Sequence, residues 1–329
     1  MKPKSPSKTK RPAQENANRK RFAAIDIGTN TILLLIAEIA EEGNFQVLED
    51  RAEITRLGEG VDRAHWIGMG GEERSLEVIR GYLAKCKNLG VHEVIAVGTS
   101  ALRDARNAGD FKDRLKRELG LELHVLSGEE EAAYSYLAVQ KGLTLEGTEV
   151  LVVDVGGGST ELIWATEGSS YRSISLNLGS VRLTERFLHS DPVRDSEISQ
   201  VRKAIDRELE PVIAEWRTDY RSPTIVGIAG TFTTLAAVEK GLKMYSHREV
   251  HGCWLRRLEV QRQIRLFKGK TIAERKEIAG LEPKRADVIL AGALLIDRVM
   301  GFFGVGQVIV SDHGIRYGLL QERLLAPNG

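Results

Sequence analysis

The stretch VLVVDVGGGSTELIWA, residues 150–165, decides the fold of this chain. It begins with an apolar run, Val150–Val155, which contains one acidic residue, Asp154. The turn Gly156–Ser159 follows, and a second apolar run, Leu162–Ala165, comes after it. Two short apolar runs on either side of a glycine turn predict a β-hairpin. This hairpin carries Asp154 just in front of the turn.

The same pattern occurs nearer the amino terminus, in FAAIDIGTNTILLLI at residues 22–36. Here the apolar run Phe22–Ile27 contains Asp26, the turn is Gly28–Thr31, and the second apolar run is Ile32–Ile36. A strand–Asp–turn–strand unit that occurs twice indicates two domains of similar architecture that face each other.

The rest of the chain alternates between strand and helix patterns, which indicates an α/β fold with mixed sheets. Further strands are predicted at residues 94–97, 123–126, 173–178, 224–228 and 307–310. Helices are predicted at residues 75–89, 129–139, 195–216 and 233–240, over most of 258–300, and after 314 to about 325.

These elements suggest a domain division. Residues 1–21 are rich in Lys, Arg, Pro, Ser and Asn, and we expect a disordered basic tail because such a segment cannot bury a core. We expect a first domain at 22–138, completed by the C-terminal helix at 315–329, and a second domain at 139–314.

The composition argues against several classes of protein. Lys and Arg number 47 against 46 Asp and Glu, a balance that argues against a protein built mainly to bind DNA or RNA. A local basic groove for a polyanion is still compatible with it, because the field depends on where the charges lie. The two cysteines form neither a disulfide framework nor a zinc cluster. Two isolated cysteines are typical of a reducing, cytoplasmic setting, which we expect here. No apolar run approaches the roughly 18 residues of a membrane span, so we expect no membrane partner.

Three glycine loops are candidates for phosphate binding, because glycine lets backbone N–H groups approach an anion closely. Each follows an apolar strand and ends in hydroxyl residues, at 26–31, 154–160 and 227–231. One such loop alone is as well explained by a tight turn, but three in this order predict a phosphate site. The predicted phosphate-binding residues are Gly28, Thr29, Asn30, Thr31, Gly156, Gly157, Gly158, Ser159, Gly230 and Thr231. No Walker A pattern is present.

The order of these loops is similar to that in the sugar kinase, heat-shock chaperone and actin superfamily, and within it the chain resembles the Ppx/GppA phosphatase family. The stretches RLGEG at 56–60, GTSALR at 98–103, SGEEEA at 127–132, NLGSVRL at 177–183 and SDHGIR at 311–316 extend the resemblance. It covers nearly everything from Phe22 onward. It implies two actin-like (ribonuclease H-like) domains, with mixed sheets flanked by helices and an active-site cleft between them.

The resemblance also implies roles for particular residues. It places the catalytic glutamate, a general base, at Glu131, whereas Ser127 and Glu130 form a capping box that needs no functional explanation. It suggests that Arg103 stabilises phosphate charge, as an arginine fork does well, with Arg56 as a weaker candidate of the same kind.

Asp154 and Glu161 are the predicted ligands of Mg²⁺, which prefers one or two carboxylates together with phosphate oxygens. Asp154 qualifies by its place before a glycine loop. Glu161 qualifies by the resemblance, and the alternative for it is a polar position on the outer face of a strand. Asp26 is the counterpart of Asp154 and would orient water or metal from the other domain. None of the seven histidines has a metal-ligand spacing, and we expect His313 to be structural or solvated.

The reading implied by the resemblance is a hydrolase that removes terminal phosphate from inorganic polyphosphate or from guanosine pentaphosphate, an alarmone of the stringent response. A homodimer is expected on the same ground. Two alternatives stay open: an ATPase or kinase of the same superfamily, and a non-catalytic sensor that binds an alarmone or polyphosphate in the cleft.

Overall fold

The computed structural model describes residues 20–39, 44–145, 149–166, 171–216 and 223–325. Its strands form two mixed β-sheets, and helices flank both of them. This is the α/β architecture predicted from the sequence. Most of the predicted disordered tail lies outside the described residues. Its last residue, Arg21, is already part of the first strand, so this end of the predicted tail was wrong.

The first sheet is built from β1 Arg21–Ile27, β2 Thr31–Ile39, β3 Phe45–Ile54, β4 Glu93–Gly98 and β5 His124–Val125. Their order is β3-β2-β1-β4-β5, with β1 antiparallel to β2 and parallel to β4. The helices of this part of the chain are α1 Val61–Ala64, α2 Met69–Asn88, α3 Ser100–Asp104, α4 Ala108–Leu119 and α5 Gly128–Gly142.

The second sheet is built from β6 Glu149–Val155, β7 Thr160–Thr166, β8 Tyr171–Leu176, β9 Thr224–Ile228, β10 Cys253–Arg256 and β11 Gln307–Val310. Their order is β10-β11-β9-β6-β7-β8. The remaining α-helices described are α6 Ser180–Phe187, α7 Asp195–Trp216, α8 Ala229–Glu239, α9 His247–Val250, α10 Arg257–Lys268, α11 Ile272–Arg275, α12 Ile289–Phe302 and α13 Ile315–Leu325. A short 3-10 helix spans Pro283–Arg285.

Both predicted hairpins are present, as β1–β2 and β6–β7. β1 and β6 lie inside their sheets and are buried along almost their whole length. A strand covered on both faces is apolar throughout rather than alternating, so Asp26 and Asp154 stand out within such runs. Each of these two residues lies near the carboxyl end of its strand, where the turn begins.

Helix α13 returns the chain to the first sheet. Ile315, Leu319 and Leu320 share a buried apolar cluster with Phe22 and Ala24 of β1. The predicted boundary between residues 138 and 139 falls inside α5, which packs on the second sheet and also against α13. Both connections between the two sheets therefore run close to each other.

Several elements differ from the sequence-based expectation. The strand β3, with the sequence FQVLEDRAEI, was not predicted. It lies at an edge of its sheet and carries charged side chains on a largely exposed surface. The edge strand β10 has four residues and was missed as well. Helix α8 begins at Ala229 rather than at Thr233, so Gly230 and Thr231 lie in a first helical turn instead of a loop.

Candidate active site

A cavity of about 650 Å³ lies between the two sheets, at the turns of the hairpins β1–β2 and β6–β7. Among the predicted site residues, those that line it are Gly28, Thr29, Asn30, Thr31, Glu131, Asp154, Gly156, Gly157, Gly158, Ser159, Glu161, Gly230 and Thr231. Asp26 lines it too. The structure therefore brings all three glycine-containing segments and both predicted metal ligands to one place.

The two hairpin turns have the same backbone geometry. In the first turn the amide of Gly28 donates to the carbonyl of Thr31 at 3.0 Å, and in the second the amide of Gly156 donates to the carbonyl of Ser159 at 3.1 Å. In each hairpin the buried aspartate lies two residues before the first glycine of the turn. The repeated sequence unit thus folds as a repeated structural unit.

The carbonyls of the first turn are held by the segment that follows β3. The amide of Gly58 donates to Thr29 at 2.9 Å, and the amides of Thr55 and Arg56 both donate to Asn30 at 3.1 Å. In a trans peptide the C=O and the next N–H point in opposite directions. The amides that follow these two carbonyls therefore point away from the holding segment, and their residues, Asn30 and Thr31, line the cavity.

The carbonyls of Gly156–Gly158 are held in the same way by the start of α6. The amides of Ser180 and Val181 donate to the first two of these carbonyls at 3.0 and 2.9 Å. The third accepts from the side-chain Nε of Arg182 at 2.7 Å. The amides of the second turn are in this way directed to the cavity, as an anion cradle requires.

The two turns contact each other. A Cβ atom at Gly158 would lie 2.5 Å from Ser100 Oγ and 2.8 Å from Thr29 Oγ1, so a larger residue does not fit there without a shift. One at Gly157 would lie 3.1 Å from Thr29 Cβ. The structure is therefore a closed arrangement in which both cradles face one small volume.

The third segment adds a helix N-terminus and an arginine. Gly230 and Thr231 lie in the first turn of α8, where helix N–H groups favour anions. The guanidinium of Arg285 covers this turn, since a Cβ atom at Gly230 would lie 2.4 Å from its Nη1. Arg285 Nη2 also donates to Thr31 Oγ1 at 3.0 Å, and so joins the third segment to the first turn.

Sequence reasoning missed Arg285, because no local pattern marks it within residues 258–300, which were expected to be mostly helical. Other cationic side chains in the cavity wall, from distant parts of the chain, were missed for the same reason: Arg51, Lys243 and Lys284. Arg316 lines the cavity too, and although it ends the SDHGIR stretch it was given no role in the site. Acidic residues line the same cavity, among them Asp26, Asp154 and Glu161, so its wall offers cationic groups to a polyanion and carboxyl groups to a cation.

Three of the buried carboxyl groups in this cavity, those of Asp26, Asp154 and Glu161, have a raised pKa. Burial, with the charge of Asp154 adding to it, raises the pKa of Asp26 to about 7. Burial raises the pKa of Asp154 as well, although Ser135 Oγ donates to its Oδ2 at 2.9 Å. The pKa of Glu161 is raised by burial and then by Asp154, and its Oε1 accepts from Ser175 Oγ at 2.7 Å.

The carboxyl groups fit a hard divalent cation. The buried Oδ1 of Asp26 has no hydrogen-bond partner among the described residues. Carboxylates crowded into a buried site repel each other, and a bound cation relieves this repulsion. The donors are oxygens without nitrogen or sulfur among them, which is the set that Mg²⁺ prefers. Asp154 and Glu161 are therefore suited to hold Mg²⁺, with Asp26 facing them from the other hairpin.

Glu131 is separated from its acidic neighbours by the geometry of α5. The predicted capping box is present, because Ser127 Oγ accepts from the amide of Glu130 at 3.2 Å and Glu130 Oε2 accepts from the amide of Ser127 at 2.8 Å. Glu129 is exposed. Glu131 is 3% exposed and faces the cavity. One turn of helix thus directs two carboxylates outward and a third inward.

Arg103 does not lie in the wall of the cavity, and its position behind Glu131 differs from the predicted contact with phosphate. Its Nη1 forms an ion pair with Glu131 Oε1 and donates to the carbonyl of Leu126 at 2.9 Å. In this arrangement Arg103 holds the carboxylate of Glu131. Arg56 also differs from its weaker prediction, since it pairs with Asp287 at 2.8 Å and donates to the carbonyl of Lys284 at 2.9 Å.

His313 is packed rather than solvated. Its ring stacks on Tyr317 with the centroids 3.7 Å apart, and burial lowers its pKa to about 4. The fold brings ligand atoms of His251, Asp312 and His313 within 4.8 Å of one another, a grouping that their sequence spacing did not show. Both nitrogens of His251 are engaged, by Asp312 and by the carbonyl of Gly142, each at 3.0 Å. His251 is therefore already engaged on both of its ring nitrogens.

The family model of the Ppx/GppA phosphatase family matches residues 35–326. The chain belongs to the Ppx/GppA phosphatase family. The matched range begins inside β2, so it includes only the end of the first hairpin, but it contains all of the second hairpin and the cavity-facing glutamate of α5.

Individual Ppx/GppA relatives are similar over almost their whole length. The protein named exopolyphosphatase 2 of Mycobacterium tuberculosis is 33% identical over 311 residues, which are 91% of this chain and 97% of the relative. The crystal structure of the Aquifex aeolicus family member is 37% identical, with a TM-score of 0.78 over 94% of this chain and 99% of that one. An exopolyphosphatase from Cytophaga hutchinsonii is 28% identical, with a TM-score of 0.86 over 94% and 99%.

These Ppx/GppA structures share the two-domain actin-like fold that the resemblance implied. Within the described part of the chain, every helix is too short or too polar to cross a lipid bilayer.

Proposed function

We propose that this protein hydrolyses phosphoanhydride bonds and releases orthophosphate from the ends of inorganic polyphosphate, of guanosine pentaphosphate, or of both. The observation that carries the proposal is the meeting of two glycine turns at one cavity that also contains buried Glu131. The names of the relatives in M. tuberculosis and C. hutchinsonii support the polyphosphate arm.

The terminal phosphoryl group is proposed to lie between the two turns. Backbone amides of Gly157–Ser159 on one side and of Asn30 and Thr31 on the other would donate to its oxygens. Arg285 would add charge-assisted hydrogen bonds from the third segment. Such fixed donors stabilise developing charge without reorganisation during the reaction.

Mg²⁺ is proposed to be held by Asp154 and Glu161. When bound, it would neutralise charge on the phosphate oxygens and let Asp26, Asp154 and Glu161 ionise together. Asp26, whose Oδ1 lacks a partner among the described residues, would receive a ligand water or orient one.

Glu131 is proposed to accept a proton from the water that attacks the terminal phosphorus. The new P–O bond forms on the side of the water, and the bond to the bridging oxygen breaks on the other side. The products are orthophosphate and a chain shorter by one phosphate. Arg103 would orient the Glu131 carboxylate through the ion pair between them.

A nucleoside-bearing substrate has a place in the same cavity. Leu242, Tyr245 and Leu281 line it together with Lys243 and the 3-10 helix at Pro283–Arg285. An apolar and aromatic wall next to lysine suits a purine base that carries phosphates. Because of this wall, guanosine pentaphosphate and ATP are candidate substrates beside polyphosphate.

The test is phosphate release with Mg²⁺ from long-chain polyphosphate, guanosine pentaphosphate and ATP, measured side by side. We expect turnover of one or both of the first two and little turnover of ATP. If ATP is the best substrate, the kinase or ATPase reading replaces this one.

Glu131→Gln separates an enzyme from a sensor. We expect kcat to fall by about 10²–10⁴-fold, the usual contribution of a general base, while binding of polyphosphate measured by calorimetry is kept. Glu129→Gln is the matched control, because Glu129 is exposed in the same helical turn, and it should leave kcat unchanged. Equal activity of Glu131→Gln and wild type would show that Glu131 is not the proton acceptor.

A further inference from the structure

Arg182 connects the second glycine turn to the opposite half of the molecule. Its Nε donates to the carbonyl of Gly158 at 2.7 Å. Its two terminal nitrogens form ion pairs with Asp62 and Asp104. The residue is 8% exposed, so this guanidinium is buried with a partner on each of its three nitrogens.

The two aspartates belong to the part of the chain that carries the first sheet. Asp62 lies in α1 and Asp104 ends α3. The helix α3 begins at Ser100, whose Oγ packs on Gly158, and it also carries Arg103, the partner of Glu131. A single side chain thus touches the second phosphate cradle and the helix behind the proposed base.

Further contacts dock α6 on the same surface. Arg186 pairs with Asp62, and Glu185 Oε1 accepts from the amide of Gly60 at 3.0 Å. These contacts are more exposed than that of Arg182 and do not reach a glycine turn. Arg182 is therefore the member of this interface that is linked directly to the cradle.

Arg56 has a similar arrangement on the first turn. Its amide donates to the carbonyl of Asn30, and its guanidinium reaches Asp287 and the carbonyl of Lys284 in the part of the chain that carries the second sheet. Each turn is therefore held by a segment whose arginine reaches across to the other half. The Arg56 side chain is 33% exposed against 9% for Arg182, so Arg182 has the stronger hold.

We propose that Arg182 is a positioning residue that sets the two phosphate cradles against each other in the closed molecule. It fixes the direction of the Gly158 peptide and ties that peptide to α1 and α3. In its absence, the two turns and Glu131 would no longer share one fixed geometry. The kinetic test of this inference rests on the proposed function. The structural test needs only the observed contact between the two turns.

The kinetic test compares Arg182→Met with Arg182→Lys on the best substrate. We expect kcat of Arg182→Met to fall by about 10²-fold, the size of effect that a misplacement of about 1 Å produces, with KM changed less than about threefold. Arg182→Lys keeps one cationic group for the aspartates and should recover part of kcat. Arg298→Met, which removes an arginine paired with Asp206 inside the second half, is the matched control.

Asp104→Asn gives an independent route if Arg182→Met does not fold. It should lower kcat less than Arg182→Met, and its effect should largely disappear in an Arg182→Lys background, since residues in one network are not additive. Full kcat in folded Arg182→Met, a loss confined to KM, or an equal loss in Arg298→Met would overturn the proposal.

The structural test does not need turnover. Small-angle X-ray scattering of the full chain should show a larger radius of gyration for Arg182→Met, or for Asp104→Asn, than for wild type and Arg298→Met. Identical scattering curves would overturn the proposal. If wild type released no phosphate from any substrate, the proposed hydrolase function would be wrong. The scattering comparison would still test the role of Arg182.

Discussion

The behaviour of the individual carboxyl groups in this cavity depends on whether they are protonated. Asp26, Asp154 and Glu161 are all buried, and in each case burial raises the pKa. The cost of ionising them together falls on the folded protein, because the unfolded chain exposes all three to water. A bound cation removes that cost, so the stability of the protein links pH to Mg²⁺.

Asp26 gives a signed prediction for this linkage. Its pKa rises from an ordinary 3.8 to about 7, so between these values the unfolded chain binds fewer protons than the folded one. Stability without Mg²⁺ should therefore fall as pH rises through this window, by on the order of 4 kcal/mol for a shift of this size. Asp26→Asn should remove this loss, and should be more stable than wild type at pH 8 but not at pH 4.

Urea unfolding at pH 4, 6 and 8 measures this difference. Adding Mg²⁺ should raise the stability of wild type most at pH 8, where all three carboxyl groups can ionise, and should raise that of Asp26→Asn less. Parallel curves of stability against pH for the two proteins would contradict the assignment of a raised pKa to Asp26.

At the scale of the elements, the start of α6 fits closely against the second glycine turn. A Cβ atom at Gly179 would lie 2.3 Å from the carbonyl oxygen of Gly157 and 2.4 Å from its carbon. These are backbone atoms, so no side chain can rotate to relieve the overlap. The shape of the turn therefore depends on Gly179, which lies well beyond the turn in the sequence.

Gly179→Ala should displace this turn. We expect a loss of stability of about 1–3 kcal/mol, as overpacking usually costs, and at least a tenfold fall in kcat/KM because the cradle moves. Gly81→Ala is the control: Gly81 is an exposed glycine inside α2 with nothing near its Cβ position, and alanine there should stabilise by about 0.5–1 kcal/mol. Thermal melts and phosphate release measure both. A Gly179→Ala protein with wild-type activity would show that the turn adapts.

The whole molecule shows which of its features the sequence could reveal. The hairpins were predictable because a buried aspartate before a glycine turn stands out in an apolar run, and Glu131 followed from a motif at the start of α5. Arg285 and Arg182 were not predictable, because each acts through contacts with residues far away in sequence. The strand β3 was missed because its exposed edge carries charges without alternation.

The closed shape depends on ion pairs that cross between the halves, and salt should act on them unequally. The Arg56–Asp287 pair is about one-third exposed at its arginine, whereas Arg182 is buried. Exposed pairs are screened by salt much more than buried ones. Arg56→Met should therefore lower kcat/KM by about two- to fivefold at low salt, the range of a weak surface pair. At roughly 0.5 M NaCl, where screening is strong, its kcat/KM should be close to that of wild type.

The penalty of Arg182→Met should persist at both salt concentrations, because the guanidinium of Arg182 is buried and its ion pairs with Asp62 and Asp104 are screened less by salt. The measurement is the ratio of variant to wild-type kcat/KM at roughly 0.05 M NaCl, where screening is weak, and at roughly 0.5 M NaCl, where it is strong. Taking ratios removes the salt dependence of polyanion binding itself. If both ratios respond equally to salt, burial does not distinguish the two arginines, and the closed molecule is held by its surface charges alone.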